Sequence, residues 1–278
     1  DPPGRAGHPG RSDAVLLAVD VGNTFMVLGI FEGERLRAEW TVHTDPSKTL
    51  DEYGLLFTSL LERAGFSSRT VTAVAISSSV PPLIPKLEWM CHKYFHLKPL
   101  VIGPGVRTGM MIRYDNPREV GADRIVGAVA AYEKYGGPLI VVDFGTATKL
   151  ECVSAEGEYL GGVIAPGMRT AAEALTRRTA LLQRVEIQRP KTVIGRNVVA
   201  SMQSGILFGF AGLADGLVRR LTREIAPEGP EPIVVATGGL AAMVAAESRT
   251  IQMVDPYLTL QGIRLMYEMN WPDGAGEA

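Results

Sequence analysis

One pattern occurs twice in this chain. "VDVGNTFMVLGI" at 19–30 and "VDFGTATKLECV" at 142–153 each close an apolar run on Val-Asp-x-Gly and then resume with strand character. Their aspartates, Asp20 and Asp143, lie 123 residues apart in a chain of 278. Two strands ending on the same carboxylate-and-glycine turn, about half a chain apart, point to a duplicated mixed α/β unit. Such a duplication is expected to bring the two turns face to face across a cleft, where ligands commonly bind between domains.

Each half supports this reading. After the first motif, "FMVLGIFEGERLRAEWTV" continues as strands through a Gly-Glu turn, and "LDEYGLLFTSLLERAGF" places Leu55, Leu56, Leu60 and Leu61 at helical spacing behind Asp51 and Glu52. "TAVAISSSV", "PKLEWMCHKYFH" and "PLVIG" read as strand, helix and strand, and "RIVGAVAAYEKYGG" as a helix ended by Gly136, Gly137 and Pro138. The second half runs from "LIVVDFGTATKLECV" through long helical sequence at 198–225 to "PIVVATGGLAAMVAAE", a strand, tight turn and helix, and a final helix "YLTLQGIRLMYEMN". The expected divisions are a leader at 1–13, an N-terminal domain at 14–136, a C-terminal domain at 137–270 and a loose tail at 271–278.

Composition removes several classes of function. The 28 Lys and Arg nearly balance the 30 Asp and Glu, so no bulk field recruits nucleic acid or an anionic membrane, and neither is expected as a partner. The short basic runs "TRRTALLQR" and "VRRLTRE" read as solvated faces. No run approaches the roughly 20 uninterrupted apolar residues of a membrane span, and 1–13 lacks the apolar core of a signal peptide. The two cysteines, Cys91 and Cys152, suggest no disulfide framework, so a reducing cytoplasm is expected. Cys91, His92 and His96 have no carboxylate to complete a zinc site.

Polyphosphate recognition needs close backbone N–H donors, hydroxyls, and a carboxylate for the accompanying hydrated cation. Gly22, Asn23 and Thr24 in the first turn, and Gly145, Thr146 and Thr148 in the second, supply these groups beside Asp20 and Asp143. Gly238 and Gly239, between a strand and a helix, offer a flat surface and a helix N-terminus for a nucleotide. One Asp-x-Gly turn alone is ordinary hairpin chemistry, but two in register with a strand-Gly-Gly-helix favour nucleotide binding. In "YDNPREVGADR", Asp123 at a helix start is a candidate general base, and Arg124 with the helix N-terminus could hold a substrate carboxylate. Equally, Asp123 caps the helix and Arg124 pairs on its surface. Tyr114 is either a core aromatic or a pocket wall.

Taken together, "DVGNT", "LDEYG", "SSSVPPL", "YDNPREVGADRIV", "VVDFGTAT", "YLGGVIAPG", "SMQSGILFGF", "ATGGLA" and "DPYLTLQGIRLMYE" resemble the type III pantothenate kinases, from about Leu16 to Asn270. That family lies within the sugar kinase, actin and heat-shock chaperone ATPase superfamily. The resemblance implies an α/β fold of two ribonuclease-H-like domains with a cleft between them, forming a homodimer. It implies transfer of the ATP γ-phosphate to pantothenate, the first step towards coenzyme A, with a divalent cation such as Mg2+ and a monovalent cation, K+ or NH4+. On matching positions, Asp20, Val21, Gly22, Asn23, Thr24, Phe25, Met26 and Val27 would line the ATP phosphates, joined by Thr146 from the second half. Asp143 would hold the monovalent cation. Tyr114, Gly121, Ala122, Asp123 and Arg124 would bind pantothenate, with Asp123 as proton acceptor.

Three positions depart from the family pattern. Thr is usual at Lys149, Asn at Gly127, and Thr at Val198, where the hydroxyl would reach pantothenate across the dimer. These departures leave room for a non-catalytic paralogue acting as a binding or regulatory protein, or for a kinase of another small hydroxy acid.

Overall fold

Both Val-Asp-x-Gly motifs fold as β-hairpins at the centre of a sheet. The computed structural model describes residues 14–179 and 181–271, so the expected leader and nearly all of the expected tail lie outside the described residues. In the first half β1 (Val15–Val21) pairs antiparallel with β2 (Phe25–Glu32), which pairs antiparallel with β3 (Arg35–His43). On its other side β1 runs parallel to β4 (Ala73–Ser78), and β4 to β5 (Leu100–Ile102). The second half repeats this plan. β6 (Leu139–Phe144), β7 (Ala147–Val153) and β8 (Tyr159–Pro166) form the antiparallel ribbon, and β9 (Ile233–Thr237) and β10 (Met253–Val254) add in parallel beyond β6. The orders β3-β2-β1-β4-β5 and β10-β9-β6-β7-β8 are one topology, read from opposite edges. The expected duplicated ribonuclease-H-like architecture is thus present in strand order and direction.

The repeat is not ungapped. Val21 pairs with Met26 across a four-residue turn, whereas Phe144 pairs with Thr148 across a three-residue one. Beyond the turns the halves slide by one residue. Lys149 therefore occupies the place of Val27, opposite Asp143 as Val27 is opposite Asp20. Because side chains alternate along a strand, this one-residue shift decides which face each residue of β7 meets.

The chain divides into two compact units, one of residues up to Arg107 together with those from Ile263 onward, the other Thr108–Gly262. The boundary expected at 136/137 falls inside the second unit, between β6 and α3 (Ala122–Tyr135). The helix belongs there because it packs on β6 and β7.

In the first unit Leu17, Val19 and Val21 alternate towards the same face as Met26, Leu28 and Ile30. Helices α1 (Leu50–Arg63) and α2 (Ile84–Phe95) cover it with Tyr53, Phe57, Leu61, Leu87, Met90 and Phe95. A capping box starts α1: the Thr49 side chain accepts from the Glu52 amide, and Glu52 accepts from the Thr49 amide. Cys91 is a buried free thiol in this core, and burial pushes its pKa up to about 12.

In the second unit α3 covers one face of the sheet, while α4 (Met168–Arg178), α5 (Val198–Ile225) and α6 (Ala241–Ala245) lie on the other. The second core joins Ile140, Val142, Phe144, Leu150 and Cys152 to Ile206, Leu207, Phe210 and Ala214 of α5. By length and composition α5 could cross a membrane, but these residues of it are buried inside the unit. Asp215, also on α5, is a buried clamp. Its carboxylate accepts from the Ser248 and Thr250 hydroxyls and from the Arg249 and Thr250 amides. Burial opposes its charge, but these bonds outweigh burial and hold its pKa below the ordinary 3.8.

Asp215→Ala should therefore destabilise the chain by about 2–3 kcal/mol in urea unfolding, because four donors lose a charged acceptor. A depressed folded-state pKa gives stability that is present above the ordinary carboxylate value and lost as pH falls through the folded one. The gap between wild type and Asp215→Asn should accordingly narrow below about pH 4.

Candidate functional site

The second unit gathers its polar side chains where β6 and β7 meet the start of α3. β6 ends on Asp143 and Phe144, and the turn that follows is closed by the Gly145 amide donating to the Ala147 carbonyl at 3.1 Å. Two other segments press against this turn. At the start of α4 the Gly167 amide and the Thr170 hydroxyl donate to the Thr146 carbonyl, at 3.2 and 2.8 Å. Gly238, at the end of β9, has φ +93°, and a Cβ there would lie 2.7 Å from Asp143 Oδ1 and 2.8 Å from the Phe144 carbonyl. Only glycine permits both that conformation and that approach.

Across the hairpin from Asp143 stands Lys149. Its Nζ lies 2.9 Å from Asp143 Oδ2 and 2.5 Å from Asp123 Oδ2. Asp123 is in the first turn of α3, and its Oδ1 folds back over the helix N-cap, 2.5 Å from where a Cβ on Gly121 would be. One ammonium thus joins the expected base to the expected cation ligand. Burial acts to lower the Lys149 pKa, but Asp143 and then Asp123 outweigh it, so the value stands above that of ordinary lysine and the group stays charged. Burial raises the Asp143 carboxyl, against the pull of Lys149.

Two residues further along the same face of β7, Glu151 makes a second, deeper pair. Arg124 Nε and Nη2 donate to its two oxygens at 2.7 and 2.8 Å, with side-chain exposures of 8% and 3%. The Tyr159 hydroxyl donates to Glu151 Oε2 at 2.5 Å, and the rings of Tyr114 and Tyr159 each lie 5.9 Å from the Arg124 guanidinium. Tyr114 is carried there by residues 111–113, which hydrogen-bond to Tyr159, and the side-chain-free Gly161 leaves space for its ring. Arg124 is therefore a buried residue whose fork is committed to Glu151, where the sequence left a surface pair open as one reading. Glu151 and Tyr159 were missed by sequence reasoning. The available signal was a lone carboxylate within the apolar run of β7.

In the first unit, β1 ends on Asp20 and Val21, and the turn from Gly22 to Phe25 is closed by the Gly22 amide donating to the Phe25 carbonyl at 3.0 Å. The Thr44 hydroxyl donates to the Gly22 carbonyl at 2.6 Å, and a Cβ on Gly22 would lie 2.9 Å from the Phe25 carbonyl. The turn is thus held tight, with Asn23 exposed and Thr24 half-buried at its tip.

Several expected residues are placed differently from a simple lining role. Val21 and Met26 are fully buried, so only their backbones can address a ligand at the turn. Thr148 points to the core side of β7, with its hydroxyl unpaired among the described residues. The helix after Gly238 and Gly239 is only five residues long, so it offers little dipole. Val198 is 45% exposed at the first turn of α5, behind the Asn197 cap. A Cβ at Gly127 would meet nothing within 4 Å, so that departure leaves space within α3.

The sequence model of the type III pantothenate kinase family matches residues 16–220, about three quarters of the chain. Type III pantothenate kinase 2 of Symbiobacterium thermophilum is 65% identical over 262 residues, covering 94% of this chain and 99% of that protein. The type III pantothenate kinase of Anaeromyxobacter sp. is 55% identical over 256 residues, covering 92% and 100%. This chain belongs to the type III pantothenate kinase family. Solved structures share the fold at low identity. A Campylobacter jejuni protein named for the Baf family of transcriptional activators has a TM-score of 0.57 at 17% identity, covering 91% of this chain and 98% of that one. Component A of (R)-2-hydroxyglutaryl-CoA dehydratase from Acidaminococcus fermentans has a TM-score of 0.51 at 14% identity, covering 94% and 99%.

Kinases of this family use ATP with a divalent cation, and the hard oxygen donors beside the turns suit one: the Asp20 carboxylate and the Asn23 and Thr24 side chains. A monovalent cation at Asp143 fits less well. Asp143 Oδ2 already holds a lysine ammonium, and a second unit charge in contact with it would be repelled. Among the described residues no group of three or more His, Cys, Asp or Glu is arranged to hold a metal ion.

Glu151→Ala should cost about 3–5 kcal/mol in urea unfolding, since it leaves the Arg124 guanidinium buried without its partner. A loss below about 1 kcal/mol would mean that the pair is not buried as described.

Proposed function

We propose that this chain transfers the γ-phosphate of ATP to the hydroxyl of pantothenate, with Asp123 as the proton acceptor. The carrying observation is the placement of Asp123. It lies at the mouth of α3 with its carboxylate 20% exposed, and Lys149 holds it in one orientation. As the pantothenate oxygen bonds to the γ-phosphorus, its proton passes to the Asp123 carboxylate, and the bond to the leaving ADP oxygen breaks. The divalent cation supplies charge neutralisation on the phosphates. In this reading each unit's glycine turn offers backbone amides to phosphate oxygens: Gly22–Thr24 in the first, and Gly145 and Thr146 with Gly238 and Gly239 in the second. Such fixed donors stabilise developing charge without reorganising.

Pantothenate would lie along Tyr114, Gly121, Ala122 and Asp123. Arg124 shapes that wall through its contacts with the two tyrosine rings, since its fork is taken by Glu151. Val198 belongs to a second feature that supports a homodimer. A groove of about 760 Å3 beside it is lined by Leu175, Leu182, Met202, Ile206 and Phe210. Leu175, Leu181, Ile194 and Val198 are also exposed apolar residues, a surface suited to a second copy. Neither Lys149 nor Val198, the departures behind a non-catalytic reading, removes Asp123 or either glycine turn. A cytoplasmic location accompanies this activity.

The test is a coupled ATP-turnover assay with and without pantothenate. We expect pantothenate-dependent turnover that falls by about 10²–10⁴ in Asp123→Asn, the usual worth of a positioned base. Folded protein without such turnover would overturn the kinase reading, and full activity in Asp123→Asn would remove Asp123 as the base. Val198→Thr should lower KM for pantothenate by roughly 2- to 10-fold, the worth of one added hydrogen bond. An unchanged KM would take position 198 out of the substrate site.

A further inference from the structure

Lys149 meets two carboxylates with two different jobs. Asp123 is the proposed proton acceptor, and Asp143 ends the central strand beside the Gly145–Thr146 turn. The ammonium lies 2.5 Å from the first and 2.9 Å from the second, within charge-assisted hydrogen-bonding range. The contact is a consequence of the fold rather than of a wandering surface side chain. Residues 143 and 149 face each other directly in the β6–β7 ladder, and the Lys149 side chain is only 16% exposed. The other cation nearby, Arg124, is committed to Glu151 and leaves this pair to Lys149.

A lysine head group is a primary ammonium, the same chemistry as one of the two ions that the family resemblance implies at Asp143. A free ion must be drawn from solution, so its occupancy follows its concentration. One tethered through the β7 backbone is always present, because its translational freedom was lost on folding. The two cannot share Asp143 Oδ2 without placing like charges in contact.

We propose that the Lys149 ammonium is this chain's built-in monovalent cation, joining Asp143 to Asp123 so that phosphoryl transfer needs no added potassium or ammonium. The proposal rests on the kinase reading for its kinetic consequence, but not for its structural one. Lys149 is a positioning residue: it sets the orientation and local charge of Asp123 and takes no proton from substrate. The position equivalent to it in the first hairpin is Val27, so the first turn holds no such charge.

The test compares wild type, Lys149→Thr and Lys149→Met at constant ionic strength, with potassium, ammonium or tetramethylammonium chloride. Wild-type turnover should vary by less than about twofold among the salts, since nothing ionic remains to be bound. Lys149→Thr, which opens space beside both carboxylates, should be slow in tetramethylammonium and recover by about 10-fold or more, with saturation, in potassium or ammonium. Lys149→Met, which fills the space with apolar atoms, should be slow in all three. Melting temperatures give a readout independent of catalysis. Potassium should raise that of Lys149→Thr relative to tetramethylammonium and leave wild type and Lys149→Met unmoved, because a ligand stabilises only the state that binds it.

Wild type that requires potassium, or whose melting temperature rises with it as in Lys149→Thr, would overturn the proposal. So would a Lys149→Thr variant with no potassium-dependent melting shift. If none of the three proteins turns over pantothenate, the kinase reading falls, and the melting series still decides where the cation sits.

Discussion

Asp143 and Lys149 face each other across the antiparallel β6–β7 ladder, and the geometry of the candidate site depends on that register. The strand pair brings the base of the lysine side chain close to the carboxylate. Its length then carries the charge on to the first turn of α3, where it meets Asp123. A turn one residue longer would place Lys149 on the opposite face, among the apolar residues packed against α5. The three-residue turn is therefore as much a part of the site as the charged groups are. Gly167 and Gly238 belong to it for the same reason, since each lets a backbone segment close on the strand end where a Cβ would intrude.

The same face of β7 carries the buried Arg124–Glu151 pair, braced by Tyr159. Buried ion pairs seldom add much net stability, because desolvation offsets their attraction, but they are costly to break and strict in geometry. Here both pairs connect the start of α3 to one strand. Arg124 anchors the helix deep in the unit, and Asp123, its neighbour, is left at the mouth with partial access to solvent. The arrangement holds the Asp123 carboxylate in place without burying it, which is what the proposed proton transfer to it needs.

The two halves show how one scaffold separates two chemistries. In both, a central strand ends on aspartate and a glycine turn. In the first, the residue across the ladder is Val27, and the turn offers backbone amides with the Asn23 and Thr24 side chains. In the second, it is Lys149, and the site has charge of both signs. Fold topology set where the groups stand, while the residues at equivalent places set what they do.

Much of this was legible in the chain. The repeated Val-Asp-x-Gly, the glycine pair at 238 and 239, and Asp123 at a helix start all lie within short segments, and local chemistry reveals them. The duplication itself is a property of the sequence, because strand alternation and turn residues are encoded within a dozen positions. The partner of Lys149, the burial of Arg124 and the role of Glu151 are contacts between residues 26 or 27 positions apart, joined only when α3 lies on the sheet. That Thr148 and Met26 turn to the core side of their strands is likewise invisible in the local sequence, because the length of each turn sets which face the following residues meet. By itself the sequence determined which elements form and which chemistry they carry; tertiary structure decided which charges meet, because pairing register and helix docking are set by packing across the whole unit.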